Sequence, residues 1–311
     1  MTLTQLRTFA LVVRLGSLRA AASELGISEP AVSAAVAALR HELGDPLFVR
    51  SGAGIVFTPG GRRLAAHAEE IVGLADQARR EVADTSAAIT TLRVAATADF
   101  AEHAVNALLH AFARRLPDCQ VELFTEAGDG LADALNRRSV DIALGSRPSG
   151  EGGLDAVPFL RYQRILVAAP GYRADGALLR QPWLTGPAGI EELSEEGRWL
   201  SRQPVWPDLV RFPSEMDAQA AARAGEGVML ALGHVVRSAL VSGELTRLAV
   251  PGTPVSGLWF ASLLGRGRAS PAARALQEFV TTPSATAAML APPGTAPIAP
   301  RRPPLRVALW S

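Results

Sequence analysis

Apolar residues recur at helical spacing from the start of the chain, where Leu3, Leu6, Phe9, Val13 and Leu15 outline an opening helix. Ser17 suits an N-cap, and Ala21, Ala22 and Leu25 mark the inner face of a second helix. Gly26 supplies positive φ for the turn, and Ile27 is expected to close the small core. Ser28 caps a third helix with Glu29 and Pro30 in its first turn. Val32, Val36 and Leu39 recur inside it, and Ser33, Ala34 and Ala37 lie outside. Residues 18–37 therefore read as a helix-turn-helix. Its small inner residues let two steeply crossing helices approach, and its second helix is sized for a major groove, so the pattern points to DNA.

Leu43, Leu47 and Phe48 return the chain to this core, and residues 50–57 predict two short strands around a Gly-containing turn, a wing. Thr58-Pro59 then starts a helix expected to run to about residue 85. Its stripe of Leu64, Ala68, Ile71, Ala75, Ala78 and Val82 has the spacing of a two-helix seam; packing under its own domain is the alternative, and dimerisation is favoured.

From residue 92 strands and helices alternate. Strands are expected at 92–96, 119–125 and 141–145, with helices at 104–116 and 131–138 between them, a βαβαβ run. A second unit has strands at 165–169, 183–184, 209–212 and 227–232 and a helix at 217–224; strand 258–264 and helix 271–280 can return to the first. The fold class is α/β overall. An all-α winged helix-turn-helix domain spans 1–58, and a linker and dimerisation helix spans 59–88. A further domain at 91–282 has two α/β lobes, 91–160 with 265–282 and 161–264. The Pro- and Ala-rich residues 283–311 read as a disordered tail, with a docking strand at 305–310 as the alternative. Two such lobes make a cleft at strand C-terminal ends, where ligands bind.

Composition bounds the function. The chain has 311 residues, a net charge of +1 and no lysine, so any DNA contact by a basic side chain falls to arginine. Cys119 is the only cysteine and reads as a buried small hydrophobe in a reducing cytoplasm, with a redox-sensing thiol as the alternative. Neither a signal peptide nor an apolar run of roughly 18 residues is seen, so a cytoplasmic protein with no membrane partner is expected. His41, His67, His103, His110 and His234 lack metal-ligand spacing, and neither a phosphate loop nor a nucleophile elbow occurs. No enzyme activity, catalytic residue, metal or cofactor is expected.

The first ninety residues closely resemble the LysR-type transcriptional regulators of bacteria. The matching words are 6–9, Gly16-Ser17, Ala21-Ala22, Leu25, 28–33, Leu39, 42–44, 46–48, Arg50 and Thr58; weaker ones follow at 140–143, 222–228 and 243–245. The resemblance implies an effector domain similar to periplasmic solute-binding proteins and assembly as homodimers or homotetramers. It also implies double-stranded promoter DNA and a small-molecule co-inducer as partners. The family usually has Gln where Glu29 stands. Glu29 either accepts from cytosine N4 or simply favours the helix dipole. Ala34 and Ala35 offer only apolar contact, and Ala53 leaves the wing tip without a basic residue, so readout leans on DNA shape.

The candidate DNA-binding residues are Arg19, Ser28, Glu29, Pro30, Ser33, Ala34 and Arg50; for Arg50 the alternative is a salt bridge to Glu42 or Asp45. The candidate effector-binding residues follow strand ends or helix caps: Thr97, Asp99, Phe100, Ser146, Arg147, Ser214 and Gly227. Arg147 suits a carboxylate, whereas Asp99, Glu215 and Asp217 repel an anion or select a cationic or hydroxylated ligand. The reading is a ligand-responsive transcription regulator; its rival is a cytoplasmic small-molecule binding protein whose N-terminal helices serve assembly.

Overall fold

A computed structural model describes residues 1–52, 54–87, 90–148, 153–172, 180–191, 194–204, 206–265 and 267–291. They divide into two compact units, the first being Met1–Ala87 with Asn136–Ser139.

The first unit opens with α1 (Leu3–Leu15), capped by Thr2 in a capping box with Gln5, then α2 (Leu18–Leu25) and α3 (Glu29–Leu43). Ser17 and Ser28 cap α2 and α3 by accepting from Ala20 N and Ala31 N, and Gly26 turns between them at φ 65°. Strands β1 (Phe48–Ser51) and β2 (Gly54–Phe57) form the antiparallel wing. Helix α4 spans Pro59–Ala87. Phe9, Val12, Ala21, Val32, Val36, Leu39, Leu47 and Ala68 are buried in one core. Ile27 is not: it is 43% exposed, because its N–H reaches back to Ala22 O and closes the turn by backbone alone. Leu43 is likewise exposed, at the last turn of α3. Thr58 anchors α4, accepting from Gly61 N at 2.8 Å and donating to Asp45 at 2.8 Å. Gly61 has no room for a side chain, since a Cβ there falls 1.9 Å from Leu47 O.

The second unit begins with β3 (Thr90–Ala96), a short turn α5 (Ala98–Phe100), a π-helical turn Ala101–Val105 and α6 (Asn106–Ala113). Then come β4 (Cys119–Thr125), α7 (Gly130–Asn136), β5 (Ile142–Gly145) and β6 (Leu154–Ala168). After β7 (Trp183–Thr185) follow α8 (Glu195–Leu200), β8 (Leu209–Arg211), α9 (Glu215–Ala224) and β9 (Met229–Leu232). The last elements are α10 (Arg237–Val241), β10 (Thr246–Arg247), β11 (Val255–Leu264), α11 (Pro271–Val280) and α12 (Pro283–Met289).

Strand β11 pairs antiparallel along its length with Leu154–Arg164 of β6, and the two strands thread both lobes of a curled sheet. In the first lobe β11 pairs β5, and β3 lies parallel between β5 and β4. In the second, β6 pairs β9 and β10, with the small parallel sheet β7–β8 alongside. The strand expected at 258–264 does return to the first lobe's sheet, where Phe260–Ser262 pair with β5, so the bound drawn at 264 for the second lobe falls too late. The strand expected at 165–169 is the end of β6. Its first half alternates partly buried and exposed residues around Pro158, so it carries no apolar run. The helix expected at 104–116 starts earlier, through the π-helical turn, and ends at Ala113.

The expected tail from 283 is also corrected. Thr282 caps α12, whose Ala285 and Met289 are buried in the same core as α6 and α11, so apolar packing outweighs a Pro- and Ala-rich composition. Residues 292–311, with the alternative docking strand, lie outside the described residues.

Trp259 centres that core, its ring 4.9 Å from Phe100 and Tyr162 and edge-on to His234 at 6.3 Å. Burial lowers the pKa of His103, opposed by Glu102, assisted by Arg164 and opposed by Asp99. Burial, then His103 and Arg164, lower that of His234. Both Nε2 atoms are buried without a hydrogen-bond partner among the described residues.

These placements have measurable consequences for stability. Gly61→Ala forces α4 off the Leu47 carbonyl and is expected to cost about 1–3 kcal/mol in urea denaturation of the first unit; an unchanged midpoint excludes the close approach. The lowered histidines mean that the folded unit binds fewer protons than the unfolded chain below the ordinary value of 6.5. Their contribution is thus intact above that value and declines as pH falls through it towards the lowered folded values. The thermal midpoint should drop between about pH 7.5 and about pH 5.5, and less so in His103→Gln/His234→Gln; identical drops count against these residues.

Candidate functional site

In the first unit, Arg19 at the start of α2, Glu29 at the start of α3 and Arg50 on the wing line one open concavity. Gly16, Ser17, Leu18, Gly54 and Ile55 complete it, around about 520 Å³ of space. Pro30, Ser33 and Ala34 lie exposed on α3, and Ser28 is occupied as its cap at 3.4 Å from Ala31 N. The alternative partners of Arg50 are engaged elsewhere: Glu42 meets the terminal amine of Met1, and Asp45 accepts from Leu47 N and the Thr58 hydroxyl. Among the described residues Arg50 makes no ion pair. Arg19 and Arg50 thus flank the acidic start of α3 in one concavity. Ala53 lies outside the described residues.

In the second unit a cavity of about 850 Å³, its open mouth included, lies between the two lobes. Three sequence candidates line it, Thr97, Asp99 and Ser146. The other four are placed elsewhere. Phe100 is fully buried against Trp259, and Arg147 lies over the Phe260 ring at 5.7 Å. Ser214 caps α9 and donates to Asp217 at 2.7 Å. Gly227 packs so closely beneath Pro182 that a Cβ there falls 2.3 Å from its carbonyl oxygen.

The centre of the cavity is a residue that position in the chain does not advertise. Arg164, on β6, is 8% exposed and meets Asp99 Oδ2 through Nη2 at 2.9 Å and Glu196 Oε1 through Nε at 2.7 Å. The second contact is an ion pair without hydrogen-bond alignment. Nη1 donates to Leu230 O at 3.2 Å and lies 3.7 Å from Glu215 Oε1. Burial by itself lowers the guanidinium pKa, but Glu196, Glu215 and Asp99 together hold it above its ordinary value. Glu215 is pushed up by burial, with Arg164 pulling it down and Asp99, Glu102 and Glu196 raising it further. The Tyr162 hydroxyl, raised by burial and then by Glu196 and Glu195, stays protonated and donates to Glu195 at 3.3 Å.

Two more contacts cross the cleft. Glu102 of the first lobe accepts from Glu215 N at 2.9 Å and Met216 N at 2.8 Å, satisfying the open amides at the start of α9. Glu191 of the second lobe accepts from Gly128 N at 2.9 Å, and a Cβ at Gly128 falls 2.5 Å from both the Glu191 carboxylate and the Ser146 hydroxyl, so a side chain there displaces them. The sequence signal for this half is Arg164 abutting the apolar run 165–168, and the acidic repeats around 191 and 195–196. Among the described residues no His, Cys, Asp and Glu side chains group as a metal site, and no helix is long and apolar enough to cross a membrane.

Comparison with known proteins accords with this division. Residues 3–62 match the family described as bacterial regulatory helix-turn-helix protein, lysR family, and residues 87–283 match the LysR substrate binding domain. An uncharacterized HTH-type transcriptional regulator of Mycobacterium tuberculosis, Rv0377, is 39% identical over the whole of both chains. The HTH-type transcriptional regulator CfxR of Cupriavidus necator is 28% identical over 90% of this chain and 91% of its own. Among solved structures, ArgP from Mycobacterium tuberculosis has a TM-score of 0.60 at 23% identity, covering 91% of this chain and 96% of that one. Full-length CbnR complexed with its target DNA has a TM-score of 0.56 at 20% identity, covering 90% and 99%. These likenesses establish the fold. With two family models matching successive parts of the chain and a full-length relative in the same order, the chain belongs to the LysR family of transcriptional regulators.

Proposed function

We propose that this LysR-type regulator binds promoter DNA through α3 and the wing, and that a small molecule in the interlobe cleft changes how it does so. The observation that carries the DNA half is the shared concavity of Arg19, Glu29 and Arg50 beside the exposed start of α3. Arginine on both sides supplies phosphate contacts that fix register, and the small exposed side chains of α3 permit close approach to base edges. With Ser33 and Ala34 offering little hydrogen bonding, shape and the pairing of two dimers carry specificity. The ligand acts by binding one DNA-bound assembly more tightly than another.

Dimerisation is supported by the second half of α4 alone, since Leu64 and Ala68 of the expected seam pack into the first unit's own core. Ile71 is 44% and Leu74 52% exposed, in one stripe with Ala78 and Val82. A second copy of this helix is the occupant that fits such a seam.

Two measurements test the proposal. In a gel-shift titration with the chain's own upstream DNA, Arg50→Ala should reduce the slope of log K against log salt by about 1; an unchanged slope removes Arg50 from the footprint. No shifted band at moderate salt contradicts the DNA reading. Ile71→Glu/Leu74→Glu should convert dimer to monomer in sedimentation velocity with helix content retained, and an intact dimer excludes this seam.

A further inference from the structure

Taking the interlobe cleft as the ligand site proposed above, we infer that its ligand is a small organic cation bearing a protonated amine or guanidinium. Six carboxyl groups line the cavity: Asp99, Glu126, Glu191, Glu195, Glu196 and Glu215. Arg164 is the one cationic side chain among the described lining residues, and Asp99, Glu196, Glu215 and the Leu230 carbonyl already occupy it. An anion entering the cleft therefore finds no open guanidinium and a surplus of negative charge. That surplus persists with Glu215 protonated.

A cation finds acceptors. The Glu126 carboxylate has no hydrogen-bond or ion-pair partner among the described residues, and Glu191 uses one oxygen on Gly128 N, leaving the other for a ligand. Thr97 gives an independent sign of an absent partner. It lines the same cavity, is 8% exposed, and its buried Oγ1 has no hydrogen-bond partner among the described residues. A buried hydroxyl left unsatisfied is costly, and a ligand N–H supplies what it lacks. Trp259, Tyr162, Met229 and Leu184 give the cavity an apolar wall that suits the methylenes of such a ligand. The absence of a metal-holding group among the described residues favours an extended organic cation over a metal ion.

The test is isothermal titration of the full-length protein with L-arginine, agmatine and putrescine on one side and succinate and benzoate on the other. At least one cation is expected to bind. Glu126→Gln/Glu191→Gln should weaken it by about tenfold, and the near-isosteric Thr97→Val should weaken it with the melting temperature kept. Gly186→Trp, which places bulk at the cavity wall beside Glu215, should abolish it with the circular-dichroism spectrum kept. Binding of an anion but of no cation, blocked by Gly186→Trp, overturns the cationic class and leaves the cleft standing. Binding that survives Gly186→Trp overturns the cleft itself. Heat from none of the five probes overturns the cationic class as well, and so does cation binding indifferent to the loss of Glu126 and Glu191.

Discussion

A guanidinium withdrawn from water must be compensated where it sits, and Arg164 imposes that demand on the whole second unit. Its partners come from three places: Asp99 at the turn after β3, Glu196 on α8 and Glu215 at the start of α9. Asp99 belongs to the first lobe and the glutamates to the second, while Arg164 rides on a strand that threads both. Satisfying one buried charge therefore also fixes how far apart the lobes stand. Glu102 and Glu191 repeat the arrangement with backbone amides, each crossing from its own lobe to an open N–H of the other. Removing a single partner from such a buried cluster leaves charge uncompensated, which typically costs about 3–5 kcal/mol. The lobes are thus clasped by polar contacts around a cavity, an arrangement that a ligand with its own charges can tighten or loosen.

The first unit is organised by a different constraint, close approach. Ala21 and Ala22 face α3 where larger side chains would separate the helices, and Gly61 lets α4 pass against the Leu47 carbonyl. Asp45 and Thr58 then tie the loop after α3 to the start of α4, which keeps the wing beside α3. The exposed start of α3 presents Glu29, Pro30, Ser33 and Ala34, with few long polar side chains among them.

How much of this is legible in the chain follows from which signals are local. Caps, turns and periodicity are local, so Ser17, Gly26, Ser28 and Thr58-Pro59 suffice to place α2, α3 and α4. The helix at Pro271–Val280 is readable for the same reason, from Ser270, Pro271 and a strong apolar face. Long-range pairing is not local. The first half of β6 stays hidden because a strand exposed on one side, with Pro158 inside it, carries no continuous apolar run. In the cleft, strand ends and caps lead to Thr97, Asp99 and Ser146, but the same logic offers Ser214 and Gly227, which serve only capping and packing. Arg164 escapes because a charged residue within a strand is uninformative until its three carboxylate partners, distant in sequence, are brought together. The exposure of Ile27 and the burial of Met289 show the remaining gap, since neither follows from hydropathy alone.

The clasp is tested most directly by the distance between the lobes. Spin labels at Thr125 on the first lobe and Ala188 on the second, both exposed, report it by pulsed dipolar spectroscopy. In the wild-type protein a narrow distribution is expected, and Asp99→Ala, which removes the first lobe's arm of the Arg164 cluster while leaving Glu196 and Glu215 in place, should broaden it and shift it to longer distance. A distribution that Asp99→Ala leaves unchanged would contradict the claim that one buried guanidinium sets the separation of the lobes.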